Sequence, residues 1–450
     1  MVGDRRPPAH DVGVIGGGSA GEALVRALDG SGLRVVVFEA LRVGGECPYV
    51  ACIPSKSMLH DARAGVPWAQ AVRRRRQLTH DLDDDRHADG LTGPRVDLVR
   101  ERARLLDAHT IEAGDHRYRV EHLVIATGAT PIVPPIEGAD ACAGAIWTSD
   151  DAMTTEDLPG SLVVVGGGVI GTECALLFSR FGSDVVLVDD EDRAFPAAPA
   201  AVGDLVDQIL DREGVDIRRG AGVEAVRLVE PGRAEGPVEV DLSDGSVVRA
   251  DRVLVAIGRR PAYAGVGLEQ LGVDPESPLP IDERGRLGVD GSVWVIGDAA
   301  GRGEYTHLAN HHARVVADHL AGSGTRRFDD VAMPACMFTD PPMIELGPTC
   351  AELAGDHDVV SAEADLASLA RTATDELGDG YLWLAARRST GCLVAASGIG
   401  AGFDQLLAAV VVACDGRVPV ARLRQSMQAF PTIGEILVPL FEDLHRRLSG

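Results

Sequence analysis

A chain of 450 residues is too long for one hydrophobic core and predicts roughly two to four domains. Its 68 acidic and 43 basic side chains give a formal net charge of −25, which argues against nucleic acid or an anionic membrane as a partner. No apolar run reaches the roughly 20 residues that cross a bilayer. Because the amino terminus also does not have the pattern of a secretory signal, we expect a cytoplasmic protein.

The chain opens with a pattern typical of a dinucleotide-binding fold. Its elements are, in order, a predicted strand at 12–15, the turn Gly16-x-Gly18-x-x-Gly21, a predicted helix at 22–28 and a predicted strand at 34–38. Glycines at this spacing allow a tight turn and a close backbone approach, and the helix N-terminus then faces a pyrophosphate. Glu39 ends the second strand, where a carboxylate accepts ribose hydroxyls.

The segment 44–56 contains two cysteines, Cys47 and Cys52. On a regular helix their Cα atoms would be about 8–9 Å apart, whereas a disulfide tolerates at most about 7 Å. A bridge therefore needs an irregular turn, which Pro48 would favour. Lys56 is the only lysine among 43 basic side chains, and with a nearby helix N-terminus it would stabilise a thiolate. No further metal ligands lie nearby in sequence, so we expect a redox pair and no metal.

The nucleotide-binding pattern returns about 150 residues after its first copy. Its elements are a predicted strand at 162–165, the turn Gly166-x-Gly168-x-x-Gly171, a predicted helix at 172–181 and a predicted strand at 184–188. Asp189 follows, and a carboxylate there accepts a 2′-hydroxyl and repels a 2′-phosphate, which favours NADH while leaving NADPH possible. Arg193 lies close enough in sequence to weaken that preference.

The other elements complete an α/β chain with a third domain. They are a helix predicted at 59–76, a meander with turns at 231–232 and 244–245, a linker at 322–325 and an amphipathic helix at 434–448. The two pattern copies predict two Rossmann-like domains, and the mixed strands and helices after residue 331 predict an α+β domain at the C-terminus.

Taken together, these motifs resemble those of the class I pyridine nucleotide-disulfide oxidoreductases, a family that includes dihydrolipoamide dehydrogenase, glutathione reductase and mercuric reductase. Segments similar to the family also occur at Ala126-Thr127-Gly128, 256–261, 293–301 and 338–341. The resemblance covers nearly the whole chain. It implies an FAD-binding domain at 1–150 and 263–325, an NAD-binding domain at 151–262, and a dimerisation domain at 326–450 that forms a homodimer.

The resemblance also assigns roles to single residues. The residues implied for FAD are Gly16, Gly18, Gly21, Glu39, Thr127, Gly128 and Asp298. Those implied for the nicotinamide nucleotide are Gly166, Gly168, Gly171, Asp189 and Gly258. Cys52 would contact the flavin, Cys47 would meet the substrate, and Lys56 would lie near the flavin, paired with Glu173.

The chain departs from the family pattern at the position of the catalytic base. Related reductases carry His-Pro-Thr followed by an acid, supplied by the partner subunit, whereas Phe430 precedes Pro431 and Thr432 here and Glu435 is the acid. A phenyl ring can neither accept nor donate the proton that a histidine would transfer. Ala51 is a milder departure, because the family usually has glycine there.

We therefore expect electrons to pass from NADH through FAD to the cysteine pair, and then to a small-molecule disulfide or another two-electron acceptor. Phe430 favours an apolar substrate or one with an acidic thiol. Two alternatives stay open at this point. One is a diaphorase-like reductase of quinones or other non-thiol acceptors, and the other is a non-catalytic flavoprotein scaffold.

Overall fold

The computed structural model of the protein describes residues 9–230, 236–288 and 291–450. The strands are β1 (Ala9–Ile15), β2 (Val35–Phe38), β3 (Val96–Val99), β4 (Ala103–Asp107), β5 (Thr110–Ala113), β6 (His116–Ile125), β7 (Ala129–Pro131), β8 (Ile146–Trp147), β9 (Ser161–Val165), β10 (Asp184–Asp189), β11 (Asp216–Arg219), β12 (Val223–Leu228), β13 (Val238–Leu242), β14 (Val247–Ala250), β15 (Arg252–Val255), β16 (Arg259–Pro261), β17 (Val293–Val295), β18 (Pro334–Met337), β19 (Met343–Leu346), β20 (Val359–Asp365), β21 (Tyr381–Arg387) and β22 (Leu393–Ile399). The helices are α1 (Ser19–Ala27), α2 (Cys52–Arg63), α3 (Trp68–Leu78), α4 (Asp85–Leu91), α5 (Ser149–Thr154), α6 (Val169–Phe181), α7 (Ala200–Arg212), α8 (Thr306–Leu320), α9 (Cys350–Leu353), α10 (Ala370–Asp375), α11 (Phe403–Asp415), α12 (Val420–Leu423) and α13 (Leu437–Ser449).

The chain separates into two compact units, and the first contains the described residues up to Ser57 with Val72–Ile132 and Arg259–Asp330. Its main sheet has the strand order β3-β2-β1-β6-β5-β4, and β17 pairs with β6. Strand β1 runs parallel to β2 and β6, and α1 follows β1 directly. All four residues of β2 are buried, as expected for a parallel strand covered on both faces. The first predicted dinucleotide fold is confirmed.

The second unit contains Met58–Ala71, Val133–Gly258 and Val331–Gly450. Its parallel sheet has the order β11-β10-β9-β15-β8, and α6 connects β9 to β10, which confirms the second copy of the pattern. Strands β12, β13 and β14 form the predicted antiparallel meander, with a turn at Gly245 between the last two. The other predicted turn, at 231–232, lies outside the described residues.

The C-terminal part of the second unit is an α+β arrangement, as predicted. Its antiparallel sheet has the order β18-β19-β22-β21-β20. Helices α11 and α13 pack their apolar faces on the same core as this sheet, through side chains such as Phe403, Leu440 and Phe441. The domain boundaries implied by the family resemblance stay a prediction.

Four predicted helices differ in their bounds, and α1 and α6 each begin three residues earlier than expected. The single helix expected at 59–76 is α2 followed by α3, because Gly65 has a φ of +67° and Pro67 has no N–H for a helical hydrogen bond. The last helix begins at Leu437 rather than Gly434, after a 3-10 turn at 433–436. Throughout the described ranges, no helix has both the length and the apolar composition that a membrane crossing requires.

Candidate active site

The backbone between Cys47 and Cys52 forms an irregular turn that ends where α2 begins. The carbonyl oxygen of Glu46 accepts three successive backbone N–H groups at 2.8–3.1 Å, those of Tyr49, Val50 and Ala51. The N–H of Ile53, the second residue of α2, donates at 3.0 Å to the carbonyl oxygen of Cys47, which lies further back along the chain than the i−4 partner of an α-helix. The turn is thus of the irregular kind that a cysteine bridge at this spacing requires.

The two cysteines are free, partly buried thiols that form a hydrogen bond with each other. The hydrogen bond from Cys47 is the largest of the effects that lower the pKa of Cys52 to about 6, and the hydroxyl of Thr306 and the positive charge of Lys56 act in the same direction. The same bond and burial raise the pKa of Cys47. At neutral pH, Cys52 is therefore a thiolate and Cys47 holds the proton between them.

Thr306 is a site residue that the sequence analysis missed. It is the first residue of α8, and its Oγ1 lies 3.6 Å from Sγ of Cys52. Because Cys52 itself begins α2, the N-termini of two helices favour its negative charge. The two residues are 254 positions apart, so no motif spacing connects them.

Replacing Thr306 with valine is expected to raise the pKa of Cys52. Valine keeps the branched shape but removes the hydroxyl, and a hydrogen bond to a charged group contributes about 1.5–3 kcal/mol, or roughly one to two pKa units. Since the pKa of Cys52 is lowered in the folded protein, its thiolate is present above about pH 6 and is lost as the pH falls through that value. In Thr306→Val, the thiolate of Cys52 should therefore already be protonated at a higher pH than in the wild type.

The shift can be measured from the long-wavelength absorbance that a thiolate gives next to bound flavin. The absorbance is followed from about pH 4 to about pH 9 in protein whose cysteine pair is reduced, a range that brackets the pKa. Thr92→Val is the control, because Thr92 is exposed and its hydroxyl bonds to the carbonyl of Asp89. An unchanged midpoint in Thr306→Val would show that the hydroxyl does not stabilise the thiolate.

Three hydrogen bonds hold the redox turn in place. The carboxylate of Glu46 accepts a hydrogen bond from Arg259, whose side chain is 9% exposed. Tyr49, which is 1% exposed, donates its hydroxyl to the carbonyl oxygen of Val43 at 3.0 Å. The N–H of Val43 in turn donates to Asp84 at 2.6 Å. The turn is therefore held by buried polar contacts on both sides of Cys47.

The first glycine turn has the close backbone contacts that a dinucleotide site needs. Gly16 has a φ of +110°, and a side chain there would collide with the carbonyl oxygen of Ala126. A side chain at Gly21 would collide with the carbonyl oxygen of Gly16. Gly18 precedes α1, and a Cβ there would lie 3.4 Å from Cα of Gly45. The N-terminus of α1 is consequently open to a phosphate group at backbone distance.

The polar residues expected around FAD lie at the ends of neighbouring strands of the first unit. Glu39 follows β2 and accepts the N–H of Gly17 at 2.7 Å. The hydroxyl of Thr127, after β6, is buried and has no hydrogen-bond partner within the described part of the chain, and Gly128 has a φ of +72°. Asp298 lies in a 3-10 turn after β17. Its pKa is raised because burial outweighs the opposing effect of the charge of Arg259. A buried hydroxyl without a described partner, a half-buried carboxylate and an open helix N-terminus fit FAD.

The second glycine turn repeats this geometry in the second unit. Gly166 has a φ of +103°, a side chain at Gly171 would collide with the carbonyl oxygen of Gly166, and Gly168 directly precedes α6. Gly258 has a φ of +120°. Asp189 ends β10 as expected.

The cation next to Asp189 is not the one that the sequence suggested. Asp189 forms an ion pair with Arg219. Arg193 instead donates to two backbone carbonyls, those of Pro196 at 2.7 Å and Ala198 at 3.1 Å. The effect of Arg193 on the preference for NADH stays a prediction, while Arg219 is the cation that pairs with Asp189.

The other three residues expected to take part in catalysis have different surroundings. Phe430 is 75% exposed. Glu435 accepts the N–H of Thr432 at 3.0 Å and forms a capping box before α13. Glu173 is 5% exposed and accepts the N–H of Phe338 at 2.8 Å, and its expected pairing with Lys56 stays a prediction.

Comparison with known proteins agrees with this geometry. The pyridine nucleotide-disulphide oxidoreductase family matches residues 10–313, and the dimerisation domain of that family matches residues 333–440. The probable pyridine nucleotide-disulfide oxidoreductase RclA of Escherichia coli K12 is 29% identical over 440 residues, which is 95% of this chain and 98% of the relative. A dihydrolipoyl dehydrogenase of Pseudomonas aeruginosa is 30% identical over 449 residues, 94% of both chains.

A solved structure shows the same fold. The Cu(II) complex of the HOCl-induced flavoprotein disulfide reductase RclA from Escherichia coli has a TM-score of 0.87 at 28% identity, and the match covers 97% of this chain and 99% of that one. The dimerisation domain supports the expected homodimer. These relatives do not favour the diaphorase-like alternative, and because they are enzymes they do not favour a scaffold either. The chain belongs to the pyridine nucleotide-disulphide oxidoreductase family and is an FAD-dependent, NAD(P)H-dependent disulfide oxidoreductase.

Proposed function

We propose that the protein uses electrons from NADH to reduce disulfides whose leaving thiol is acidic. One observation carries the proposal: position 430, where related reductases have a proton-transferring histidine, is an exposed phenylalanine. Phe430 cannot protonate a thiolate that leaves the substrate. A thiol that is stable as a thiolate at neutral pH does not need that proton.

The residues divide between two cofactor sites and the dithiol. FAD would be held by the first glycine turn with Glu39, Thr127, Gly128 and Asp298, and when bound it accepts two electrons from the nicotinamide and passes them to a disulfide. The second glycine turn with Asp189 and Gly258 would hold NADH. The FAD, NAD and dimerisation domains would have the boundaries given above, and the cytoplasmic location stays a prediction.

The cysteine pair can perform the thiol chemistry with its own proton. The thiolate of Cys52 takes the proton of Cys47, so the sulfur of Cys47 attacks the substrate disulfide and one substrate thiolate leaves. Cys52 then loses that proton to water and attacks the sulfur of Cys47 in the mixed disulfide. The second substrate thiolate leaves, the Cys47–Cys52 disulfide forms, and the substrate has gained two electrons. The raised pKa of Cys47 and the lowered pKa of Cys52 match these two roles.

The missing step is protonation of the leaving group. An alkyl thiol has a pKa of about 8.5 or higher and leaves slowly as a thiolate. A positioned acid would accelerate this step roughly 10²–10⁴-fold. Aryl thiols need less assistance because their thiolates are more stable. The exposed ring of Phe430 also offers an apolar contact to an aromatic substrate.

Steady-state oxidation of NADH with a series of substituted diaryl disulfides tests the proposal. The series should span leaving-thiol pKa values of about 4 to 7. Lipoamide and oxidised glutathione serve as alkyl disulfides, whose leaving thiols have a pKa of about 8.5 or higher. We expect kcat/KM to rise at least about tenfold as the leaving-thiol pKa falls through the series. Equal kcat/KM values for aryl disulfides and lipoamide would contradict the proposal.

A further inference from the structure

Three charged side chains form a network at the end of the parallel sheet in the second unit. Asp189 and Arg219 are the last residues of β10 and β11, and the parallel register places them directly opposite each other. One terminal nitrogen of Arg219 donates to Oδ2 of Asp189. The other, Nη2, donates to Oδ1 of Asp207 on α7 at 2.6 Å. The side chains of Arg219 and Asp189 are 12% and 11% exposed, so this ion pair is largely shielded from solvent.

The network lies against the second glycine turn. A side chain added at Gly167 would collide with both Oδ2 of Asp189 and Nη1 of Arg219. Any nucleotide that binds along this turn would therefore approach a carboxylate and a guanidinium together. The sequence predicted only the carboxylate of Asp189 at this position, and the structure adds the guanidinium of Arg219.

Each terminal nitrogen of Arg219 donates to one carboxylate, whereas its Nε is buried and has no hydrogen-bond partner among the described residues. The two carboxylates neutralise the charge of Arg219 and would repel a 2′-phosphate that approached it. The three residues after Asp189 are also acidic, and they are Asp190, Glu191 and Asp192. Arg193 does not compensate for them at this position, because it bonds to the backbone carbonyls of its own loop. The second oxygen of Asp189, Oδ1, accepts a long contact of 3.5 Å from the N–H of Glu191, which leaves capacity for a ribose hydroxyl.

We propose that Asp207 and Arg219 determine nucleotide selectivity together with Asp189. Arg219 orients the carboxylate of Asp189 toward a ribose 2′-hydroxyl. Asp207 holds Arg219 away from a 2′-phosphate. This inference rests on the proposed use of NADH and names the residues that set it. It follows that removing the two carboxylates, with Arg219 kept, converts the site into one that accepts NADP(H).

The test is a variant series in the FAD-loaded homodimer, with dissociation constants for NAD⁺ and NADP⁺ measured by titration calorimetry. The variants are Asp207→Asn, Asp189→Asn, Asp189→Asn with Asp207→Asn, and that pair with Arg219→Met. Affinity for NADP⁺ relative to NAD⁺ should rise a few-fold in Asp207→Asn and about tenfold in Asp189→Asn. It should rise roughly 100-fold in the double variant, and Arg219→Met should remove that gain.

Asp204→Asn is the matched control, since Asp204 is an exposed acid on the same helix and one turn from Asp207. It removes the same charge and should leave the relative affinity unchanged. Equal effects of Asp204→Asn and Asp207→Asn would overturn the inference in favour of general surface charge. A double variant that keeps its gain without Arg219 would overturn it as well. Bound FAD and far-ultraviolet circular dichroism verify that each variant folds.

Stopped-flow reduction of the flavin separates this inference from the proposed function. Wild-type protein whose flavin is reduced by neither nucleotide would contradict the proposed function. Rapid reduction by NADH, with relative affinities that do not change across the variants, would overturn the roles of Asp207 and Arg219 alone. A wild type that binds NADP⁺ more tightly than NAD⁺ would overturn both the inference and NADH as donor.

Discussion

Replacing Cys52 with serine is expected to abolish both disulfide reduction and the long-wavelength absorbance that a thiolate gives next to flavin. Cys52 is the cysteine whose pKa is lowered to about 6, so it supplies the thiolate at neutral pH. Without it the Cys47 mixed disulfide cannot be resolved and no internal disulfide can accept electrons. Loss of one member of such a catalytic unit should lower turnover by at least about 10³-fold.

Cys47→Ser is the informative partner of this variant. It should also stop turnover, yet Cys52 then cannot form a disulfide with Cys47 and stays a thiolate at neutral pH, so the absorbance band should be present before any reduction. The band should disappear as the pH falls through the pKa of Cys52, because protonation removes the electron donor. Cys350→Ser, at a partly buried cysteine on α9, is the control and should behave as wild type. Identical spectra for Cys47→Ser and Cys52→Ser would show that the two roles are assigned wrongly.

Phe430→His should increase activity toward dihydrolipoamide and lipoamide. The imidazole supplies the group that can accept and donate the proton of an alkyl thiol, and such a group contributes roughly 10²–10⁴-fold to a rate. We expect about 10–100-fold, the lower part of that range, because Glu435 already caps the helix through Thr432 and is not free to orient the ring fully. Because the side chain of Phe430 is 75% exposed, the substitution should change the free energy of unfolding little.

The gain should depend on pH with an apparent pKa near that of a histidine, about 6.5. Aryl disulfides should respond less than lipoamide, since their thiolates leave without a proton. Met427→His is the matched control, because Met427 is 95% exposed and lies three residues before Phe430. If Met427→His raises lipoamide activity as much as Phe430→His does, or if neither changes it, position 430 does not limit the reaction.

Much of the fold could be predicted from the sequence because its signals are local. The two glycine turns, each between an apolar strand and a helix, specify dinucleotide folds through backbone contacts within about 25 residues, as the collisions expected between Gly21 and Gly16 and between Gly171 and Gly166 show. The cysteine pair and the absence of an ionisable group at Phe430 are matters of residue identity alone. Helix bounds were less predictable where Gly65 and Pro67 interrupt a pattern that is otherwise continuous.

The tertiary structure decided which distant groups meet. Thr306 reaches Cys52 across 254 positions because two helices begin at the same place in the first unit. Asp189 is paired with Arg219 rather than with the nearer Arg193, because parallel strands place their last residues side by side while the chain between them turns away. The sequence by itself therefore determined which chemistry the protein carries, whereas the pKa of its thiolate and the charges at its nucleotide site depend on contacts that only packing creates. Coulombic and hydrogen-bond energies depend on distance in space, and separation along the chain does not encode that distance.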